Sequence, residues 1–422
     1  MRITRVLYED VAKLIQRFSR YQQSSLSIEQ FTTFGKTAKP IESFQFGRHE
    51  LPVRLAHIIR EIDLLPKNLL KMPSVELVRS WYVQSFSELI EFQDEQETEE
   101  VSNRYTQSLK HIKQRHDNVV ETMAQGIMEL RERDGDGAFH PSIEYFLDRF
   151  YMNRISIRML ITQHLVLFGQ DARSSKSNFI GCFDPTCHVA SVVEDAVNNA
   201  AYLCEHYYCA APEVEISEFN GVDLKKPIQM AYVPGHLYHM LFELLKNAMR
   251  AVVEQHGSST DAPPIKIMIT KGRHDMTIKI SDQGGGIPKS TIDQVFEYHY
   301  TSAPEPLKAG SAAPMAGYGY GLPLSRLYAR YFDGDMQLYS MEGFGTDAVI
   351  WLKALSAEAS EILPQYTRRT PKNYEEVRLS AQHCRDWSSS KFYGYGNKFM
   401  STYQGMMRAR RLHNSRRTAN SS

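Results

Sequence analysis

Apolar residues recur at three- and four-residue spacing through the first part of the chain and give way to alternating, strand-like runs beyond about residue 189. That change of period predicts helices first, then a sheet with helices of its own. Val11 to Tyr21 reads as an amphipathic first helix. Leu51 to Leu65 (LPVRLAHIIREIDLL) follows, with Pro52 near its start and Pro66 ending it. Further helical segments run from Val75 to Phe92, from about Val101 to Arg133 and from Ile143 to Phe168. The Val101–Arg133 segment is stopped by Asp134-Gly135-Asp136-Gly137 and the Ile143–Phe168 segment by Gly169. Long amphipathic helices joined by short connections predict a four-helix bundle.

In the second part, strands are expected at Val214–Phe219, Ile228–Val233, Ile265–Thr270, Met276–Ser281, Met336–Met341 and Asp347–Leu352. Helices are expected at Val189–Tyr207, Gly235–Gln255 and Leu322–Phe332. Hairpin pairs mixed with helices predict a mixed, largely antiparallel sheet covered on one face, an α/β sandwich, and so an α+β chain overall. The expected divisions are a helical domain over 1–175, a sandwich over 176–356 and a tail over 357–422. After about Ala354 periodicity fades, and from Ser388 onward there is no acid but seven Lys or Arg, a composition that favours disorder.

Charge removes one class of function. Lys plus Arg and Asp plus Glu are 49 each, without the basic excess of a nucleic-acid binder. No apolar run reaches the roughly 18 residues of a membrane span. Five cysteines fit a reducing compartment better than a disulfide framework, and the spacing of Cys182, Cys187, Cys204 and Cys209 is looser than that of zinc-finger pairs. Arg2 and Arg5 precede the first acid, Glu9, as in a matrix-targeting segment, although an ordinary amphipathic helix gives the same pattern.

Three segments carry chemistry. On the helix Gly235–Gln255, His239, Glu243, Lys246, Asn247 and Arg250 share one face, opposite the core stripe Leu241, Leu245, Ala248 and Val252. Any surface helix has a polar face, but this one groups an acid, an amide and two cations, able to accept a proton, bind Mg²⁺ and meet phosphates. Ser281-Asp282-Gln283-Gly284-Gly285-Gly286 ends a strand in a carboxylate and continues in a loop that lets a ligand lie against backbone. Gly317-Tyr318-Gly319-Tyr320-Gly321-Leu322 leads into a helix whose first amides can face an anion. It is neither a Walker A loop nor a Rossmann loop. Between the last two lies a Pro/Ala/Gly-rich stretch, Thr301 to Ala316, that reads as a lid. The order Glu-x3-Asn helix, strand-Asp-x-Gly-x-Gly, lid with Gly-x-Gly-x-Gly, and late Gly345-Thr346 is that of GHKL (Bergerat-type) nucleotide pockets. A His-Arg-Asp loop and an Asp-Phe-Gly, marks of the eukaryotic protein-kinase fold, are absent from the sequence.

From about Phe18 to Trp387 the chain resembles the mitochondrial pyruvate dehydrogenase kinases, on the runs LPVRLAHIIREIDLLP, FLDRFYMNRIS, HMLFELLKNAMRA, ISDQGGGIP, GYGYGLPLSRLYARYF and YSMEGFGTDAVIWLKAL. The resemblance implies an ATP- and Mg²⁺-dependent serine kinase of the mitochondrial matrix. Such a kinase inactivates the decarboxylase α subunit of the pyruvate dehydrogenase complex, docks on a lipoyl domain and forms a homodimer. It implies Glu243 as general base tuned by His239, and Asn247 as the Mg²⁺ ligand. Lys246 and Arg250 would serve the phosphates, and Asp282 and Thr346 would read adenine. Gly284, Gly286, Thr301, Ser302, Gly317, Tyr318, Gly319, Tyr320, Gly321 and Leu322 would line the nucleotide. It further implies a pyruvate-responsive pocket of Arg154, Arg158, Tyr82 and His116, lipoyl docking through Leu26, Phe31 and Phe34, and a dimer-stabilising pair Asp386-Trp387. Lys113 stands where the family pattern has an arginine, and the basic extension beyond Trp387 departs from it. Three other readings share features of the sequence. They are a branched-chain 2-oxoacid dehydrogenase kinase, a protein histidine kinase using His116 beside Asp117, and a nucleotide-sensing scaffold without transfer.

Overall fold

The computed structural model describes residues 11–135, 141–169, 178–257, 262–298, 300 and 319–379. Thr301, Ser302, Gly317, Tyr318, the 303–316 stretch, Asp386, Trp387 and the basic end lie outside the described residues.

The helical half comprises α1 (11–18), α2 (Ile28–Thr37), α3 (Pro40–Ile62), α4 (Lys67–Leu70), α5 (Pro73–Ile90), α6 (Glu99–Arg115), α7 (Val119–Asp134) and α8 (Pro141–Phe168). The Ser27 hydroxyl and the Gln30 side chain form a reciprocal capping box that starts α2. α3 packs on α5, α6 and α8, and α5 packs on α7, which makes the expected bundle.

Two expectations change here. α3 begins at Pro40, so Pro52 sits deep inside a helix and not near its start. Proline cannot donate to the carbonyl four residues back, here that of Arg48. The Gln93 side-chain amide donates to that carbonyl instead. Second, the expected helix Val101–Arg133 is two helices, α6 and α7, broken at 116–118. The break lets the His116 ring bond the Ser85 hydroxyl at 3.0 Å while its carbonyl accepts from Arg154 at 3.3 Å.

The second half is built on a five-stranded sheet of order β2 (Val214–Asn220), β4 (Ile265–Lys271), β5 (Asp275–Ser281), β7 (Gly345–Lys353), β6 (Asp335–Met341). β2 and β4 are parallel and the remaining pairs antiparallel. Ile265, Ile267 and Ile269 of β4 and Met276, Ile278 and Ile280 of β5 alternate into the core, while Lys266, Met268 and Lys279 face outward. The inner face carries α10 (Pro234–His256) and α11 (Gly321–Tyr331), with α9 (Val189–Tyr208) packed on α10. The expected strand at 228–233 does not join this sheet. It is β3 (Gln229–Tyr232), paired antiparallel with a strand not anticipated, β1 (Asp184–His188), whose DPTCH sequence has no alternation to reveal it. Cys182, Cys187, Cys204 and Cys209 are free thiols. Among the described residues no helix is long and apolar enough to cross a membrane.

Beyond β7 the chain returns to the helical half. Ile28 donates to the Ala359 carbonyl at 2.9 Å, Glu361 to the Leu26 carbonyl at 3.0 Å, and Tyr366 to His57 Nδ1 at 2.8 Å. α12 (Thr370–Leu379) then seats Tyr374, whose hydroxyl donates to Glu61 at 2.7 Å. At the centre, the fully buried Arg54 guanidinium meets Glu361 twice at 2.8 Å and Glu50 once at 2.8 Å. Tyr331 at the end of α11 donates to the same Glu361 carboxylate. An extended segment held by backbone bonds has no helical or strand period, so this return was invisible as a pattern.

Candidate active site

Where α10 crosses the carboxyl end of β5 and the start of α11, the structure opens a cavity of about 440 Å³. α10 contributes Glu243, Asn247 and Arg250; the turn after β5 contributes Asp282, Gly284 and Gly286. Gly319, Gly321 and Leu322 come from the loop entering α11, and Thr346 from the start of β7. The three segments singled out in the sequence therefore share one wall-to-wall site. Leu244, Ala248, Ile280, Ile287, Val295, Leu338 and Ala348 supply its apolar surface, as a flat heterocycle requires.

At one end, Asp282 is fixed by the backbone. Its Oδ1 accepts from Gly284 N–H at 2.9 Å and Thr346 N–H at 3.3 Å, and its own N–H donates to the Thr346 carbonyl at 2.9 Å. Burial pushes the Asp282 carboxyl above the usual range, and those two backbone bonds pull partly against it. Both hydrogen bonds fall on one oxygen, Oδ1. Ser340, which the sequence reading missed, ties this end together: its hydroxyl contacts Thr346 Oγ1 at 2.8 Å and accepts from Ile287 N–H at 2.7 Å. Its signal was its place across the β6–β7 turn from Thr346, legible only once the hairpin register is known. Gly286 has φ +69°, and a Cβ there would stand 2.1 Å from the Met341 carbonyl oxygen, so the turn requires glycine.

At the other end, Gly321 begins α11 directly against Glu243: a Cβ at Gly321 would stand 2.3 Å from Glu243 Oε2. First-turn amides of an 11-residue helix thus open beside a carboxylate, an amide and Arg250, which is paired with Glu254 at 2.8 Å. Glu254 and Gln255 also line the cavity and were not anticipated.

Three expected residues stand differently. Tyr320 turns its ring onto Tyr298 and Tyr151, with centroids 5.3 and 6.0 Å away, so only its backbone borders the loop. His239 does not line the cavity; it packs edge-on against Tyr328 at 4.9 Å, and its Nε2 is buried without a hydrogen-bond partner. Burial holds its pKa below the ordinary value, opposed by the nearby Glu243 charge. Lys246 does not line the cavity either, being paired with Glu243 at 2.8 Å.

Two further groups of expected residues converge elsewhere. On α8, Arg158 bonds Asp117 Oδ1 at 3.0 Å and Arg154 reaches the His116 and Asp117 carbonyls at 3.3 Å each. Tyr82 lies against His116 with ring centroids 4.5 Å apart. The Tyr82 hydroxyl and Arg154 Nε are buried with no hydrogen-bond partner. Leu26, Phe31 and Phe34 line a second, apolar cavity of about 210 Å³ with Phe46, Leu51, Leu160 and Leu167.

A helix-roofed, largely antiparallel sheet with an aspartate at a strand end and glycines at a helix start defines a class of ATP-binding domain. The profile described as histidine kinase-, DNA gyrase B-, and HSP90-like ATPase matches residues 232–356. The profile described as mitochondrial branched-chain alpha-ketoacid dehydrogenase kinase matches residues 25–184. The chain is 53% identical over 390 residues to the mitochondrial [pyruvate dehydrogenase (acetyl-transferring)] kinase isozyme 3 of Mus musculus, covering 91% of this chain and 93% of that protein. It is 52% identical over 379 residues to the mitochondrial [pyruvate dehydrogenase (acetyl-transferring)] kinase of Ascaris suum, covering 90% and 94%. The chain belongs to the pyruvate dehydrogenase (acetyl-transferring) kinase family.

Proposed function

We propose that this kinase transfers the γ-phosphate of ATP to a serine of the decarboxylase α subunit of the pyruvate dehydrogenase complex. The modification would switch that subunit off and restrain oxidation of pyruvate to acetyl-CoA. The observation that carries the reading is the meeting of Glu243, Asn247, Asp282 and Gly321 in one cavity, in a chain about half identical to kinases named for that reaction.

Asp282 and Thr346 hold the adenine, its exocyclic amine donating to the free Asp282 oxygen. The amides at Gly319 and Gly321 and the start of α11 receive the phosphates, with Arg250 beside them. Glu243 accepts the proton of the serine hydroxyl as the oxygen bonds to the γ-phosphorus and the bond to the β-phosphate oxygen breaks, releasing ADP. His239, one turn away, orients the base. A divalent cation fits this donor set. No cluster of three or more acidic, histidine or cysteine ligands exists among the described residues, so Mg²⁺ would arrive on the nucleotide and take one protein oxygen, from Asn247. When bound, it neutralises charge building on the phosphate oxygens. Positioning and electrostatics supply the rest.

The proposal extends to a homodimer of the mitochondrial matrix, with the domain divisions at 175 and 356 given above. The apolar cavity of Leu26, Phe31 and Phe34 takes a lipoyl group, and the Arg154/Arg158 cluster takes a small carboxylate such as pyruvate. Offering purified pyruvate and branched-chain dehydrogenase complexes in parallel with labelled ATP tests the reading. Acid-stable phosphoserine on the pyruvate decarboxylase α subunit is expected. Labelling of the branched-chain subunit alone, or acid-labile, alkali-stable phosphate on His116, would overturn it. The latter group is 1% exposed and bonded to Ser85, which disfavours a phosphoacceptor.

A further inference from the structure

Lysines beside nucleotide sites ordinarily serve phosphates, and the sequence assigned Lys246 that role. The geometry points elsewhere. Lys246 Nζ lies 2.8 Å from Glu243 Oε1, with the two side chains only 11% and 19% exposed. The ammonium also sits 5.0 Å from the centroid of the Phe242 ring, which is itself stacked on Tyr238 at 5.6 Å. A cation held between an aromatic face and a carboxylate in a half-dry setting is well fixed. Glu243, Asn247 and Arg250 line the nucleotide cavity, and Lys246 does not. The other carboxylate oxygen, Oε2, faces Gly321 at the opening of α11, where the space left by the missing side chain brings the backbone against it. The two oxygens of Glu243 are therefore divided: one is tied to Lys246 and the other is presented to the phosphate end of the site.

We propose that Lys246 is a positioning residue for the base. By holding Oε1 it commits Oε2 to receive the serine proton. The inference rests on the reading of Glu243 as that base. A glutamate rotates about three side-chain bonds, and without a tether its carboxylate visits orientations in which neither oxygen meets the incoming hydroxyl. A misplacement of about 1 Å at a reacting centre costs on the order of 100-fold in rate. A phosphate-binding lysine would instead show itself in nucleotide affinity.

The test compares full-length wild type, Lys246→Met, Lys246→Gln and Lys246→Arg in transfer to purified decarboxylase component, with ATP affinity measured separately. Methionine keeps the stem over Phe242 and removes only the charge; glutamine serves where the methionine variant fails to fold. We expect kcat to fall about 100-fold with KM and Kd for ATP within about twofold of wild type. Arginine, which restores a charged donor to Oε1, should recover at least about tenfold of that loss. Glu243→Gln sorts the two levels of the argument. Its loss of transfer supports the base. In that background Lys246→Met should add no further loss, because residues that act as one unit are not additive. Transfer surviving in Glu243→Gln would overturn the base itself. An inactive Glu243→Gln beside a Lys246→Met with normal kcat, or with ATP affinity lowered tenfold or more, would overturn the positioning role alone.

Discussion

The nucleotide cavity and the arginine cluster on α8 both gather charged groups, and they do so by opposite means. In the cavity much of the polar surface is main chain: amides at Gly284 and Thr346 fix Asp282, and the start of α11 opens toward Glu243. In the cluster the polar atoms are side chains from three helices, Tyr82 on α5, His116 at the end of α6, and Arg154 and Arg158 on α8, most of them buried in bundle packing. At its Asp282 end the first arrangement is fixed by backbone bonds from two short stretches of chain, the turn after β5 and the start of β7. The second exists only while three helices keep their mutual register, so it can be moved by anything that shifts one of them. A rigid site suits chemistry and a register-dependent one suits regulation.

The largest expected effect tests the rigid side of that contrast. Glu243→Gln should lower transfer by about 1,000-fold and leave ATP binding unchanged, as measured by single-turnover phosphorylation beside nucleotide titration. Next, Asp282→Asn should weaken ATP by about 1.5–3 kcal/mol, the worth of a hydrogen bond to a charged group. Because burial raises the Asp282 carboxyl, wild-type ATP affinity should weaken as pH falls and the carboxylate protonates. The asparagine variant should show little of that slope; an equal slope would remove Asp282 as its origin.

The register-dependent side predicts acid sensitivity. Burial holds His116 down to about 3 against an ordinary 6.5. Between those values the unfolded chain binds a proton that the folded chain refuses, so stability is full above about pH 6.5 and falls as the medium acidifies toward 3. At pH 5 the cost is roughly 2 kcal/mol, and His116→Gln should remove that part of the decline in thermal unfolding followed across pH. The smallest effect belongs to the half-exposed pair Arg158–Asp117: Asp117→Asn should change stability by less than about 1 kcal/mol. It should still alter inhibition by pyruvate, because it frees Arg158. Unaltered inhibition would detach Arg158 from the proposed regulatory pocket.

The same contrast governs what could be read from sequence. Motifs at strand ends and helix starts are local, so Asp282, Gly284, Gly286, Gly321 and the Glu243/Asn247 face were legible, and the cavity unites them. The alternation of Ile265, Ile267 and Ile269 likewise gave the sheet its core face. What escaped was non-local. The break at 116–118 interrupts no hydrophobic period and is set by partners on α5 and α8. Pro52 looked like a start signal because the amide that relieves it, Gln93, lies 45 residues beyond Arg48, the residue whose carbonyl it bonds. Ser340 is an ordinary residue until the hairpin is known, and Lys246, read as a phosphate contact, is paired with Glu243 outside the cavity lining. Tyr320, read as a nucleotide contact, faces Tyr151 instead.

Arg54 meets its second carboxylate 307 positions later along the chain. Synthesis proceeds from the amino end, and early segments begin to fold first. Through most of translation that guanidinium has Glu50 and main-chain carbonyls for company, beside a seam that Glu361, Tyr366 and Tyr374 have yet to cover. A ribosome-bound chain of this kinase thus carries an unsealed helical half until the segment 359–374 has been made, and that segment is a fastener rather than an appendage.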